Sequence, residues 1–122
     1  MERVQGIGGF FFRAKDPEAL AAWYESALGI PSMSTQWSWH QEAGATVFAP
    51  FPADTDYFGS ANQQVMLNFR VPDLDAMIAQ LRAAGAEVDD EIVEADFGRF
   101  AHATDPEGNR FELWQPLEVP GP

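Results

Sequence analysis

Apolar positions along the chain form two helical stripes set among runs that suit strands. Leu20, Trp23, Tyr24, Ala27 and Leu28 recur at helical spacing, with Asp16 before them as an N-cap. Pro17 sits where a first-turn N–H has no partner to lose, and Gly29 supplies a residue free to end the helix. A second stripe, Leu74, Met77, Ile78 and Leu81, lies between Asp73 and Gly85. Residues 7–14, 64–71 and a short stretch within 87–94 read as strands. Residues 37–41 and 45–49 flank Glu42-Ala43-Gly44 and read as a hairpin.

A further hairpin is predicted over residues 101–114, where two strand-compatible runs flank Asp105-Pro106-Glu107-Gly108-Asn109. If these five residues form the loop, Thr104 stands opposite Arg110 and His102 opposite Glu112. Directly opposed residues share a face, with Cβ atoms roughly 4.5–5.5 Å apart. One imidazole therefore meets one carboxylate among Phe, Leu, Ala and Trp. Such a pair reads either as a functional centre or as a structural hydrogen bond.

Residues 50–62 contain two Pro, a Gly and several turn formers, so they read as a loop. The loop carries Phe51, Tyr57 and Phe58, which suits a cavity rim or lid and equally a loop packed onto the core.

Composition narrows the chemistry. With 122 residues there is room for one domain and a real core. A net charge of −12 repels phosphate backbones and anionic lipid, so neither nucleic acid nor a membrane surface is an expected partner. The same charge favours a cationic ligand. No cysteine is present, which removes disulfides, thiolate chemistry and Cys-type zinc sites. No apolar run approaches the roughly 20 residues of a membrane span, and residues 1–6 lack the pattern of a secretory signal. A cytoplasmic location is the expectation. Ten Phe and four Trp provide bulky groups for a cavity as well as a core.

The two halves overlay when shifted by the separation of Phe12 and Phe69. Phe12-Arg13-x-x-Asp16 matches Phe69-Arg70-x-x-Asp73, and each match leads into a helix closed by Gly29 or Gly85. Two βαβββ modules follow, about residues 6–60 and 64–117, in one domain over 1–122. This duplication, the Asp16-Pro17 helix start and the closing Asp105-Pro106-Glu107-Gly108-Asn109-x-x-Glu112-Leu113 hairpin resemble the glyoxalase / bleomycin-resistance / extradiol-dioxygenase family, the vicinal oxygen chelate superfamily. The resemblance runs from Ile7 to Pro116. It implies an α+β fold whose modules form an open, cup-shaped mixed sheet around a small-molecule cavity, in a homodimer.

Catalytic members of that family hold a divalent metal in the cup. The positions this resemblance assigns to the ligands are Gly9, Met66, Phe48 and Glu112. Only Glu112 is a normal ligand for a hard or borderline divalent ion, so no metal or other cofactor is expected. His40 and His102 are the only imidazoles that could rescue a site, and some members place a substrate-contacting Tyr at the position of His102. Alternation adds Phe11 and Arg13 on the first strand, and Asn68 and Arg70 beside Met66 on the later one. Arg13 and Arg70, as repeat mates, could flank the cavity mouth. Arg99 is a third candidate anion contact, and each Arg could instead pair with a surface carboxylate.

The leading expectation is a protein that binds an organic small molecule, cationic by charge preference, in a cavity lined by Trp37, Trp39, Phe48, Phe51, Tyr57 and Trp114. The alternative is a lyase or isomerase using Glu112 and His102, with or without a divergent metal site. A dimeric interaction module without a ligand is the third reading.

Overall fold

The computed structural model describes residues 1–117. Its helices are α1, Pro17–Leu28, and α2, Leu74–Ala83. Its strands are β1, Asn68–Arg70; β2, Glu87–Val88; β3, Val93–Ala95; β4, Gly98–Thr104; and β5, Arg110–Pro116. The fold is α+β with a mixed, open, five-stranded sheet in the order β1-β5-β4-β2, with β3 also pairing with β4. Only the β1–β5 pair is parallel among the described residues.

Both helices begin as their sequences predict. The Asp16 carboxylate accepts the Ala19 N–H at 3.1 Å, and the Asp73 carboxylate accepts that of Ala76 at 3.0 Å. Gly29 ends α1 with φ 74°, a left-handed conformation that returns its N–H to the Glu25 carbonyl. The apolar stripes face one core. Ala27 of α1 and Leu74, Ile78 and Leu81 of α2 pack on Ala101, Ala103, Phe111 and Leu113 of the sheet. Burying each of the larger side chains contributes about 1.5–3 kcal/mol.

The β4–β5 hairpin has the predicted register, with Thr104 opposite Arg110 and His102 opposite Glu112. Its turn is held by Asp105, which is buried and accepts the Glu107 and Asn109 N–H groups, the Asn109 amide and the Tyr24 hydroxyl. Glu107 reaches back to accept the Lys15 and Asp16 N–H groups at 2.6 and 3.1 Å. One turn thus orients both the hairpin and the start of α1. Gly98 opens β4 at φ 139°, where a Cβ would run into the Gln115 carbonyl oxygen and lie 2.6 Å from Trp114 Nε1.

Four strand expectations are corrected. Residues 7–14 are not a strand; they run irregularly and mostly exposed. A strand needs a partner for its N–H and C=O groups, and Gly8 and Gly9 weaken the preference for extended pairing. The hairpin over 37–49 likewise forms no ladder. In 64–71 only Asn68–Arg70 is strand, although the Leu67 carbonyl and the Val71 N–H extend its bonding to β5. The stretch 87–94 divides into β2 and β3. Second-half segments therefore build the sheet, and the first half contributes α1 and the loops around it. Residues 116–122, with three Pro and a Gly, read from the sequence as a tail; Pro116 instead ends β5, and residues 118–122 lie outside the described part.

The break between β2 and β3 has a consequence for the sheet. Val88 pairs with Ala103 and Val93 with Phe100, so residues 89–92 face only Ala101 and His102. This is an extended bulge, anchored by the Asp89 N–H on the His102 carbonyl at 2.9 Å. No helix among the described residues is long and apolar enough to cross a membrane.

Candidate functional site

Alternation along β4 and β5 sends Ala101, Ala103, Phe111 and Leu113 into the core. Phe100, His102, Glu112 and Trp114 face the other way. On that second face the Phe100 and Trp114 rings stack nearly parallel, 2° apart in plane and 6.0 Å between centroids. The Trp114 Nε1–H donates to the Phe97 carbonyl at 3.0 Å.

Beside the aromatic pair lies a polar cluster centred on the buried Glu112, which is 7% exposed. Its three neighbours come from three different elements. β4 puts His102 directly opposite, with Nε2 at 2.9 Å from Glu112 Oε2. β1, parallel to β5, puts Asn68 opposite on the other side, where its amide donates to Oε1 at 2.6 Å. The loop at 51–58 brings the Tyr57 hydroxyl, which donates to Oε2. The Tyr57 ring meets the His102 ring edge-on at 5.0 Å.

His102 Nε2 is close to the carboxylate, yet no partner meets hydrogen-bond geometry with it, and the residue is only 4% exposed. It is the one buried side-chain polar atom without a hydrogen bond among the described residues.

The electrostatics follow from these contacts. Burial pushes the Glu112 pKa up, but the approach of His102 and the bonds from Tyr57 and Asn68 outweigh it and hold the group below the ordinary carboxylate range. Burial, the Glu112 hydrogen bond and the charges of Glu112 and Glu91 together raise the Tyr57 phenol far above an ordinary tyrosine. Glu112 is thus held toward its ionised form beside a phenol that keeps its proton.

The remaining candidates divide by location. Phe51 stacks on Tyr57 with centroids 5.8 Å apart and so lies near the cluster. Arg70, on β1, donates to the carbonyls of Ala45 and Glu42 and so anchors the 42–45 turn. Arg99 turns away from the site, paired with Asp75 and Glu94. Arg13 lines a separate shallow cleft with Ala14, Lys15, Glu107 and Asn109, so it and Arg70 do not flank a common mouth. Met66 is half-buried. Phe11, Trp37 and Phe48 are 92%, 83% and 87% exposed, and Trp39 is also exposed, so these rings do not close a cavity over the sheet within one chain. They belong to the first half, whose expected strands do not form.

A divalent metal does not fit this donor set. Gly9, Phe48 and Met66 offer no ligand atoms of the needed kind, and both Glu112 oxygens already accept protein hydrogen bonds. Among the described residues no group of three or more His, Asp or Glu is arranged to hold a metal ion.

The bulge at 89–92 left no signal in the periodicity. It carries Asp89 and Glu91 to a cleft that also holds Asp56, Tyr57, Val93, His102 and Arg110, with a volume of about 260 Å³. Three acidic residues in a row, Asp89, Asp90 and Glu91, interrupt the strand-like run and are the trace it leaves in the sequence.

Comparison with known proteins gives the family. The model of the glyoxalase-like domain matches residues 9–114, which takes in both helices, the sheet up to Trp114 and the whole Glu112 cluster. The chain belongs to the glyoxalase-like domain family. No curated protein matches it. Among solved structures, this glyoxalase-like domain is similar to TnmS3, an antibiotic binding protein from Streptomyces sp. CB03234, at 24% identity and TM-score 0.62. That match covers 96% of this chain and all of TnmS3. TioX from Micromonospora sp. ML1 is similar at 18% identity and TM-score 0.54, over 85% of this chain and 93% of TioX. At these identities the likeness is one of fold.

Proposed function

We propose that this glyoxalase-like domain binds an organic small molecule on the sheet face that carries Phe100, His102, Glu112 and Trp114, with no obligatory metal. The observation that carries the reading is the Glu112 cluster itself. At the one ligand position the chain retains from its family, the carboxylate is satisfied by Tyr57 and Asn68, and the stacked Phe100–Trp114 pair adjoins it. Aromatic surface with a few fixed polar groups is what small-molecule recognition needs. The full-length likeness to TnmS3, described as antibiotic binding, supports the same reading. The test is titration of the protein with a panel of aromatic organic compounds, read by tryptophan fluorescence and calorimetry. Saturable binding that changes in Trp114→Phe supports the proposal; absence of saturable binding across the panel rejects it.

The same reading makes the protein a homodimer, supported by the exposed apolar residues Ile7, Phe10, Phe11, Phe12, Val47 and Phe48. Light scattering on the purified chain decides this, a mass near 13.5 kDa arguing against it.

Proton-transfer catalysis of the lyase or isomerase type is a second reading, favoured by the 2.9 Å approach of His102 to Glu112. A carboxylate held below its ordinary pKa is a weak base, which ranks this second. Loss of turnover in Glu112→Gln with ligand binding intact would establish it.

A further inference from the structure

Residues 50–62 form a unit of their own. Their backbone hydrogen bonds are local turns, from the Thr55 N–H to the Pro52 carbonyl and from the Gly59 N–H to that of Asp56. Phe51 packs on Tyr57 and Phe58 with centroids 5.8 and 5.2 Å apart, so the loop is held together by its own rings. Its two ends are pinned. Arg70 holds the Ala45 carbonyl on one side, and on the other the Gln63 amide exchanges two hydrogen bonds with the Arg110 backbone, at 2.7 and 2.9 Å. Between these pins, the loop reaches the sheet through two hydrogen bonds among the described residues, both at Tyr57. Its carbonyl accepts from Arg110 Nε at 3.2 Å, and its hydroxyl donates to Glu112 Oε2.

That oxygen has a second claimant. His102 Nε2 lies 2.9 Å from it, buried and out of line for a hydrogen bond. The Tyr57 ring meets the imidazole at 88° and so holds it in that orientation while taking the oxygen. Asn68 occupies Oε1 from a position fixed by the register of β1 with β5.

We infer that residues 50–62 are a lid over the Glu112 face, latched by Tyr57 and opened by an exchange of donors at Glu112 Oε2. In the closed state Tyr57 holds the oxygen and leaves His102 without a partner, which is costly for a buried group. In the open state the phenol goes into water, the imidazole turns, and its Nε2–H donates to the oxygen that Tyr57 has left. Glu112 keeps two hydrogen bonds throughout, so the lid lifts without stranding a buried charge. The two arrangements are thereby brought close in free energy, as a lid requires. The inference rests on the proposed small-molecule reading and supplies the route by which a ligand reaches the face.

The experiment uses the intact chain and needs no ligand. Relaxation dispersion is recorded on the backbone amides of Tyr57, Phe58 and Gly59, with those of α2 as reference, in the wild type, His102→Phe and His102→Gln. The loop amides are expected to report exchange with one minor state, and the α2 amides none. His102→Phe removes the replacement donor and is expected to lower the minor population at least threefold. His102→Gln keeps an N–H donor and is expected to recover it. Tyr57→Phe decides the matter if His102→Phe does not fold: there the His102 Nε2–H is expected to move downfield and to exchange more slowly with water than in the wild type. Three results overturn the inference: flat profiles for the wild-type loop, a minor population that ignores His102→Phe or does not recover in His102→Gln, or unchanged His102 imidazole signals in Tyr57→Phe. Saturable binding in the aromatic panel together with any of these retains the binding reading and removes the lid.

Discussion

Tyr57 donates its hydroxyl hydrogen to Glu112 across 55 residues of chain, joining an irregular loop to the central strand of the sheet. The phenol gives the carboxylate a partner that neither neighbouring strand supplies at that oxygen with good geometry. It also places an aromatic ring against the edge of His102. The loop is therefore part of the site rather than a connection past it.

Tyr57→Phe keeps the ring and removes this donor. Hydrogen bonds to a charged group contribute about 1.5–3 kcal/mol, and the partly exposed position of Tyr57 puts the expected loss near the lower figure. Urea unfolding of the variant at neutral pH measures it, and a midpoint unchanged from wild type would show that the bond contributes nothing in solution.

Glu112 makes stability depend on acid. Its folded pKa lies below the ordinary 4.5, so its contribution is present above that value and is lost as pH falls through the folded value. Denaturation midpoints followed from neutral pH into acid should fall more steeply for wild type than for Glu112→Gln. Parallel profiles would assign the acid sensitivity to other carboxylates.

The two tyrosines give a spectroscopic readout at the alkaline end. Burial and Asp105 raise Tyr24, and burial and Glu112 raise Tyr57, both well above 10.0. The neutral phenols favour the folded state fully below the ordinary value of 10.0, and that contribution is lost as pH rises through the folded values. Tyrosinate absorbance should be absent from the native protein just above the ordinary tyrosine pKa and should appear on unfolding in denaturant at the same pH. Half-ionisation in the native state at that pH would contradict both contacts.

Gly98→Ala tests the entrance to β4. The new Cβ would collide with the Gln115 carbonyl oxygen in a conformation that side chains rarely adopt. A loss of at least about 2 kcal/mol is expected from thermal unfolding. Ala79→Ser, at an exposed position of α2, serves as the control and should cost far less. Equal losses in the two variants would show that the chain relaxes freely around Gly98.

The sequence carries the local parts of this site plainly. Asp105 to Asn109 defines a loop length, and loop length sets register, so His102 meets Glu112 in the sequence as in the fold. Alternation on the later strand places Asn68 on the same face, and Asp16, Asp73 and Gly29 mark helix ends by chemistry that acts over one turn. What is not legible depends on distant partners. Residues 7–14 have strand-like composition, yet a strand exists only where a second edge accepts it. The meeting of Tyr57 with Glu112 has no period to reveal it, and the bulge at 89–92 interrupts the pattern from which strands are read.

The parallel pairing of β1 with β5 also sets an order of assembly. The β4–β5 hairpin closes over a short loop at little cost in chain entropy, whereas Asn68 must come from 44 residues away and Tyr57 from 55. Glu112 therefore keeps its water until the distant strand and loop arrive. The face that carries His102 and Glu112 is the last part of the sheet to become dry.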